Sequence, residues 1–145
     1  MFQPVRPLVV LAILQVCLPI QRPQPAELPA CETADARGNC TLYKASIVQL
    51  LARPEVFDGK RVRVTGFIHF EFEGNGIYLH REDYEQRLYS NGLWVQLNER
   101  YKPVVPCQNR YVLIEGLFEA RNRGHMGLWS GAITDITRCI NWPTS

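Results

Sequence analysis

Residues 61 to 73 alternate between apolar and polar positions, and this pattern predicts one long, half-buried β-strand. The face that we expect to be buried carries Val62, Val64, Gly66, Ile68, Phe70 and Phe72. Long strands need a bend or a bulge when they wrap around a curved sheet, and we expect Gly66 to mark that point. The pattern therefore fits a strand that belongs to a curved sheet.

Four further segments are typical of strands, and turn residues or charges bound each of them. They cover residues 77 to 80, 93 to 97, 111 to 120 and 128 to 140. A short amphipathic helix precedes the first strand, with Ser46 as its N-cap and Pro54 as its stop. A charged connection at residues 81 to 88 is also expected to be helical. Together these elements predict a mainly β domain over residues 45 to 142: a five-stranded OB-like Greek-key barrel with a short N-terminal helix.

The chain also resembles a known class of domains. Leu50 to Leu79 contain the series Pro-Glu-x-Phe-Asp-Gly-Lys-x-Val-x-Val-x-Gly, and residues 124 to 136 have the sequence GHMGLWSGAITDI. They resemble the opening and the closing strand of OB-fold-like domains in small exported bacterial proteins, over about residues 45 to 140. One departure is the Pro-rich stretch at residues 98 to 109, where many OB folds have a helix. The resemblance implies the barrel and carries no assigned activity.

The first twenty residues have the layout of an export signal. Arg6 precedes an apolar run from Leu8 to Leu14, and Pro19 follows it. Residues 21 to 44 are then expected to be a Pro-rich linker and a segment that holds a disulfide. This predicts an exported protein of the periplasm or cell envelope, although the apolar run also suits a buried helix or strand. LQVC at Cys17 and LPAC at Cys31 resemble the lipobox of bacterial lipoproteins, so a membrane-anchored form stays open.

Four cysteines remain once the export signal is removed: Cys31, Cys40, Cys107 and Cys139. An even number fits two disulfides formed in an oxidising compartment, with four unpaired buried thiols as the alternative. If Ala120 pairs with Leu128 across an antiparallel hairpin, position 109 lies opposite Cys139. This register brings Cys107 near Cys139 and predicts a disulfide between them. Cys31 and Cys40 are then left as the second pair.

The charge balance bears on the class of ligand. The chain has 16 basic and 14 acidic residues, and removal of Arg6 and Arg22 with the signal and linker leaves 14 of each. Proteins that bind nucleic acid through phosphate contacts normally carry an excess of basic residues. The balance therefore weighs against nucleic acid as the ligand.

Two histidines and a carboxylate lie near a turn at residues 74 to 76, the sequence Gly-Asn-Gly. Two turn registers are compatible with this tip, and both place Phe72 inside the barrel. Both also place His69, Glu71 and His80 on the outer face within reach of one another. Two imidazoles and a carboxylate can hold zinc or another divalent ion, so this is a candidate metal site. An exposed ladder of polar side chains is the alternative explanation.

Catalytic motifs are weak in this chain. His125 is a candidate general base, but no serine or free cysteine is placed by a motif as its nucleophile. Glycine loops of the kind that bind phosphate or dinucleotides are missing from the sequence. We therefore expect a protein that is not an enzyme and that needs no cofactor.

A binding surface is the better-supported hypothesis. The surface that OB folds normally use comprises the face of their second and third strands and two adjoining loops. In this chain it carries Tyr78, Trp94, the tip at residues 73 to 76, Arg121, Arg123 and His125. Such a set suits a protein or another envelope component as partner, because Trp, Tyr and Arg dominate protein interfaces. The alternatives are an oligonucleotide or an oligosaccharide stacked on the aromatic rings, or burial of Trp94 and Tyr78 beneath the helix or linker.

Overall fold

The computed structural model describes residues 29–97 and 107–143. The predicted export signal, most of the predicted linker, Cys17 and the stretch from 98 to 106 lie outside the described residues. Within the described ranges, none of the helices has the length and apolar character needed to cross a membrane.

Seven strands and three short α-helices make up the described chain. The strands are β1 (Cys31–Ala34), β2 (Cys40–Lys44), β3 (Arg61–His69), β4 (Gly76–Tyr78), β5 (Gly92–Val95), β6 (Arg110–Glu119) and β7 (Ala132–Asn141). The helices are α1 (Ile47–Ala52), α2 (Pro54–Phe57) and α3 (Arg81–Glu85), and 3-10 turns cover Tyr89–Asn91 and His125–Gly127.

Five of the strands close into a barrel. Their order is β3-β4-β5-β7-β6, and β6 pairs back onto β3 to complete the circle. The β5–β7 pair is parallel, whereas the other four neighbours in the barrel are antiparallel. This confirms the predicted mainly β fold, a five-stranded OB-like Greek-key barrel with a short N-terminal helix.

Strand β3 pairs with β6 along one edge and with β4 along the other, and Gly66 lies just before the residues that pair with β4. Residues 61 to 68 pair with β6, and β4 joins only at residues 67 to 69. The pairing with β6 runs through Gly66 without a register shift, so the residue marks a close approach and no bulge. A Cβ atom at this position would lie 2.6 Å from the Tyr78 carbonyl oxygen and 2.7 Å from Cδ1 of Ile47. The absence of a side chain therefore lets helix α1 and strand β4 pack against β3.

The barrel core contains the predicted face of β3 as far as Ile68. Val62, Val64 and Ile68 are fully buried, and helix α1 contributes Ile47 and Leu50 at one end of the core. The helix begins with a capping box, since the Ser46 hydroxyl accepts from the Gln49 N–H and the Gln49 side chain accepts from the Ser46 N–H.

The predicted burial of Phe72 is wrong. β3 ends at His69, so the alternation no longer governs the residues that follow, and Phe72 is 93% exposed in the loop. On the opposite face of β3, Phe67 is buried against Tyr84 and Tyr111. Helix α3 carries Tyr84 and covers the outer face of the barrel at this point.

The segment before the barrel is more ordered than the sequence indicated. Residues 31 to 44 form the β1–β2 hairpin, and β2 pairs in parallel with the start of β3. Asp35 shapes the turn by accepting from the backbone N–H groups of Arg37 and Asn39, at 2.8 and 2.9 Å. These hydrogen bonds, led by the one from Asn39, lower the pKa of the Asp35 carboxyl. Local side-chain capping thus replaces the irregular segment that was expected.

Both predicted disulfides are present, Cys31–Cys40 within the hairpin and Cys107–Cys139 at the barrel. The register behind the second prediction is different, because Cys139 lies opposite Ile114 in the β6–β7 ladder. Cys107 precedes β6 and reaches Cys139 with a Cα–Cα distance of 6.6 Å. Two disulfides indicate an oxidising, non-cytoplasmic setting.

Candidate binding surface

The loop between β3 and β4 has a register that neither predicted turn provides. Phe67 lies opposite Tyr78 and His69 opposite Gly76, so Gly76 belongs to strand β4 and not to the turn. The chain reverses earlier, where the Gly74 N–H donates to the carbonyl of Glu71. Residues 70 to 75 therefore form a wider loop than the predicted two-residue tip.

This register separates the predicted metal ligands. His69 Nε2 lies 3.6 Å from the Glu71 carboxylate, but His80 precedes helix α3, where its backbone N–H donates to Asp83 at 3.1 Å. Among the residues that the structure describes, no three His, Cys, Asp or Glu side chains form a group that could hold a metal ion. The predicted triad of His69, Glu71 and His80 is thus not assembled.

His69 has other partners. Its Nε2 lies 2.9 Å from the Tyr84 hydroxyl, and its Nδ1 contacts the side-chain oxygen of Asn109. The Tyr84 ring stacks on the imidazole with 3.9 Å between centroids. Burial raises the pKa of Tyr84, and the nearby Glu71 carboxylate acts in the same direction. These contacts fix helix α3 to the end of β3, and the sequence offered no signal for them because Tyr84 lies in a charged connector.

Tyr78 is buried, which contradicts its predicted role as an exposed binding residue. Its ring lies against Gly76 and Gly92, where an added Cβ would come within 2.7 and 2.6 Å of the ring. The Trp129 indole N–H donates to the Tyr78 hydroxyl at 3.3 Å. Burial is the main cause that raises the pKa of Tyr78 to about 12. Tyr78 and Trp129 therefore form an aromatic layer on the outer face of β4 and β5, and Trp129 belongs to the segment before β7, not to the N-terminal helix or the linker.

Trp94 is half-buried at the border of this layer. Its ring meets Trp129 edge to face with 5.0 Å between centroids. The β6–β7 loop rests on the other side, since a Cβ at Gly124 would lie 2.5 Å from Cγ of Trp94. Gly124 has a φ of +63°, a conformation that glycine adopts without strain. Trp94 therefore acts mainly as a support for this loop.

Two loops distant in sequence meet beside Trp94. Nε2 of His125, in the β6–β7 loop, lies 3.4 Å from the Glu73 carboxylate in the β3–β4 loop. Phe72 and Met126 are the sequence neighbours of these two residues, and they are 93% and 80% exposed. Both loops therefore present a large apolar side chain to solvent directly next to the contact that joins them.

The backbone at this contact is strained. Glu73 and Met126 have φ values of +60° and +54°, in the left-handed region that non-glycine residues rarely adopt. Such residues cluster at binding and active sites, where the surrounding structure holds them in place. In the β3–β4 loop the left-handed residue, Glu73, directly follows the exposed Phe72. In the β6–β7 loop the left-handed residue is the exposed Met126 itself.

The β6–β7 loop also carries the predicted arginines. Arg121 and Arg123 are exposed, whereas Asn122 between them donates to Glu119 at 2.9 Å and accepts from the Gly124 N–H at 3.2 Å. Asn122 thereby orders the loop and leaves its two neighbours on the surface. We define the loop rim as the exposed or half-exposed side chains of both loops: Phe72, Glu73, Arg121, Arg123, His125, Met126 and Leu128.

Comparison of the chain with protein-family models, with curated proteins and with solved structures gave no match.

Proposed function

We propose that this protein is a non-enzymatic, exported binding module that engages a protein component of the cell envelope through the loop rim. The observation that carries the proposal is the contact between His125 and Glu73, which joins the two loops that carry the exposed side chains of Phe72 and Met126. Several large apolar side chains exposed on one surface often mark an interaction site.

The chemistry of the loop rim favours a protein partner. Phe, Met and Arg are enriched in protein interfaces, and this surface combines Phe72 and Met126 with Arg121 and Arg123. Left-handed backbone at a non-glycine residue costs roughly 1–3 kcal/mol, and the rim tolerates this at two positions. Loops held in one conformation lose less entropy on binding, so the strain is compatible with a pre-formed docking surface.

An oligonucleotide is the weaker candidate because the usual stacking surface is covered. OB folds bind nucleic acid on the face of their second and third strands, which here are β4 and β5. Tyr78 on that face is buried beneath Trp129, and Trp94 is half-buried beneath the β6–β7 loop. The balance of 14 basic and 14 acidic residues from Glu27 onward adds no surplus of positive charge.

The cellular setting follows from two observations of different kinds. The apolar run at residues 8 to 14 behind Arg6 predicts export. The two disulfides support an oxidising compartment, which the envelope of an exporting cell provides. We therefore expect the partner of the loop rim to be a protein of the same oxidising compartment.

Site-specific photocrosslinking in the native cell tests this proposal. A photoreactive phenylalanine at position 72 should form an adduct of one defined protein mass. The same residue at position 48, an exposed valine of helix α1, serves as the matched control and should give no such adduct. Addition of purified wild-type protein to a permeabilised envelope should compete for the adduct, and the Met126→Ala variant should compete poorly.

Three outcomes would contradict the proposal. One is an adduct that forms equally well from positions 72 and 48. Another is an adduct that nuclease treatment removes, which would assign the loop rim to nucleic acid. The third is the absence of any adduct at position 72 when the protein is folded and both disulfides are formed.

A further inference from the structure

A second surface of the barrel forms an open groove that shares no residue with the loop rim. It lies where the β1–β2 hairpin and the start of α1 border β3 and β6, and it encloses a cavity of about 620 Å³. Ligand sites for small molecules have volumes in this range. The groove is lined by Ala30, Glu32, Lys44, Ala45, Ser46, Gln49, Arg63, Thr65, Leu113 and Trp142.

Trp142 lines this groove and also a neighbouring hollow. Its side chain is 46% exposed, and a second hollow of about 360 Å³, lined by Arg110, Tyr111, Asn141 and Pro143, borders the same residue. The backbone N–H of Trp142 donates to the backbone carbonyl of Tyr111 at 3.0 Å. This hydrogen bond fixes the backbone that carries the indole. One tryptophan thus lines two hollows, an arrangement that suits a ligand longer than a single ring.

The walls of the groove are pre-formed. The disulfide between Cys31 and Cys40 closes the β1–β2 hairpin, which contributes Glu32 and Lys44. On the α1 side, the reciprocal hydrogen bonds of Ser46 and Gln49 hold both polar side chains in place. A ligand that enters therefore meets ordered groups and does not have to organise them.

The surface of the groove is mostly apolar, and the charges of its ionic side chains are largely balanced by one another and by adjacent residues. Arg63 pairs with Glu32 and lies 2.7 Å from the Glu115 carboxylate, and Arg138 also reaches Glu115 at 3.3 Å. The positive charges of the two guanidinium groups and the negative charges of the two carboxylates cancel in this network. Lys44, at the end of β2, adds one positive charge to the groove. A phosphate chain would need a larger surplus of positive charge. An apolar indole beside hydrogen-bonding groups whose charges largely cancel instead suits a ligand rich in hydroxyl groups.

We propose that the Trp142 groove binds a linear, neutral oligosaccharide. The indole of Trp142 provides a flat apolar surface for the C–H face of a sugar ring, because one face of a pyranose exposes mainly C–H groups. Glu32, Gln49 and Thr65 provide acceptors and donors for its hydroxyl groups. The OB-like barrel is an architecture that takes oligosaccharides, although this groove lies away from the strand face and loops that such barrels normally use.

Titration calorimetry with chitohexaose, cellohexaose and maltohexaose tests the inference on the disulfide-intact protein. We expect at least one of the three to bind saturably with one site per chain, and its affinity to stay within about twofold when salt is raised, because no ion pair is formed. Trp142→Ala should weaken that binding by roughly tenfold or more, and Trp142→Phe should retain most of it. Thr65→Val, which keeps the shape of the side chain and removes its hydroxyl, should weaken binding severalfold.

The Phe72→Ser variant is the matched control, since Phe72 is exposed in the loop rim and lies outside the groove. It should bind the oligosaccharide as the wild type does while losing the protein partner. Failure of all three sugars to bind at about 5 mM would overturn the inference, and so would full binding by Trp142→Ala. Tighter binding of a decathymidylate probe, lost at moderate salt, would assign the groove to nucleic acid instead.

Discussion

His125 and Glu73 approach to 3.4 Å, and this contact joins the β6–β7 loop to the β3–β4 loop at one end of the barrel. Both side chains are more than one-third exposed, so the pair contributes little to the stability of the fold. Its effect is positional, because Phe72 and Met126 adjoin the two residues in sequence.

The first prediction concerns Met126, which combines a strained backbone with a proposed role in binding. Its φ is +54°, and its side chain is exposed in the loop rim. Met126→Gly and Met126→Ala should both weaken partner binding, because both remove the apolar side chain. Only the glycine variant relieves the left-handed backbone, so it should be more stable than the alanine variant by about 1 kcal/mol in urea unfolding. Equal stabilities of the two variants would show that the backbone at residue 126 is not strained.

The second prediction concerns Tyr78, whose buried hydroxyl accepts the Trp129 indole N–H. Tyr78→Phe leaves that N–H without its acceptor and should lower the free energy of unfolding at pH 8 by about 1–3 kcal/mol. Urea unfolding followed by circular dichroism measures the difference. A loss below about 0.5 kcal/mol would show that the hydroxyl does not hold the aromatic layer together.

The pH dependence of the same variant provides a second measurement. The folded protein raises the pKa of Tyr78 from 10.0 to about 12, so the neutral phenol is favoured by folding. Its contribution is fully present below pH 10 and is lost as the pH rises towards 12, because the unfolded phenol ionises first. The stability gap between wild type and Tyr78→Phe should therefore narrow between pH 9 and pH 11.5. A gap that stays constant over this range would contradict the assignment.

The third prediction compares the two disulfides. Cys107 and Cys139 are 32 residues apart, whereas Cys31 and Cys40 are 9 apart. The longer loop restricts the unfolded chain more, so the Cys107→Ala/Cys139→Ala variant should lose about 3–4 kcal/mol and the Cys31→Ala/Cys40→Ala variant about 2–3 kcal/mol. Thermal or urea unfolding measures both losses. The reverse order would show that strain or residual structure, and not loop closure, governs their effect.

The strands could be predicted because the side-chain period of a strand is a local property. All five barrel strands lie largely within the segments that the pattern indicated, and Val62, Val64 and Ile68 point inward as expected. The period does not show where a strand ends. Phe72 continues the pattern in sequence, but the chain has already left the sheet after His69.

The candidate site was harder to predict because tertiary contacts decide it. Gly76 was predicted to belong to a turn because it follows Asn75, yet the structure places it in β4. There the ring of Tyr78 occupies the space that a side chain at position 76 would fill. That single change shifts the hairpin register and separates His80 from His69. The contact between Glu73 and His125 joins loops whose sequences carry no mutual signal, so only the folded chain reveals it.

The last prediction tests the close approach at Gly66. A methyl group there would meet the Tyr78 carbonyl oxygen at 2.6 Å and Cδ1 of Ile47 at 2.7 Å, so Gly66→Ala should cost about 1–3 kcal/mol. Ile47→Val alone removes a buried methyl group and should cost about 0.5–1.5 kcal/mol. In the Gly66→Ala background the same change also removes one of the three close contacts that the added methyl group would make, so it should cost less.

Urea unfolding of the four proteins in this double-mutant cycle gives the interaction energy directly. The added methyl group would still clash with the Tyr78 carbonyl oxygen and with Cγ1 of Ile77, 2.9 Å away, and Ile47→Val cannot relieve either contact. The double variant should therefore stay less stable than Ile47→Val alone. Additive effects would show that Gly66 and Ile47 do not contact each other, and helix α1 would then need another explanation for its position against β3.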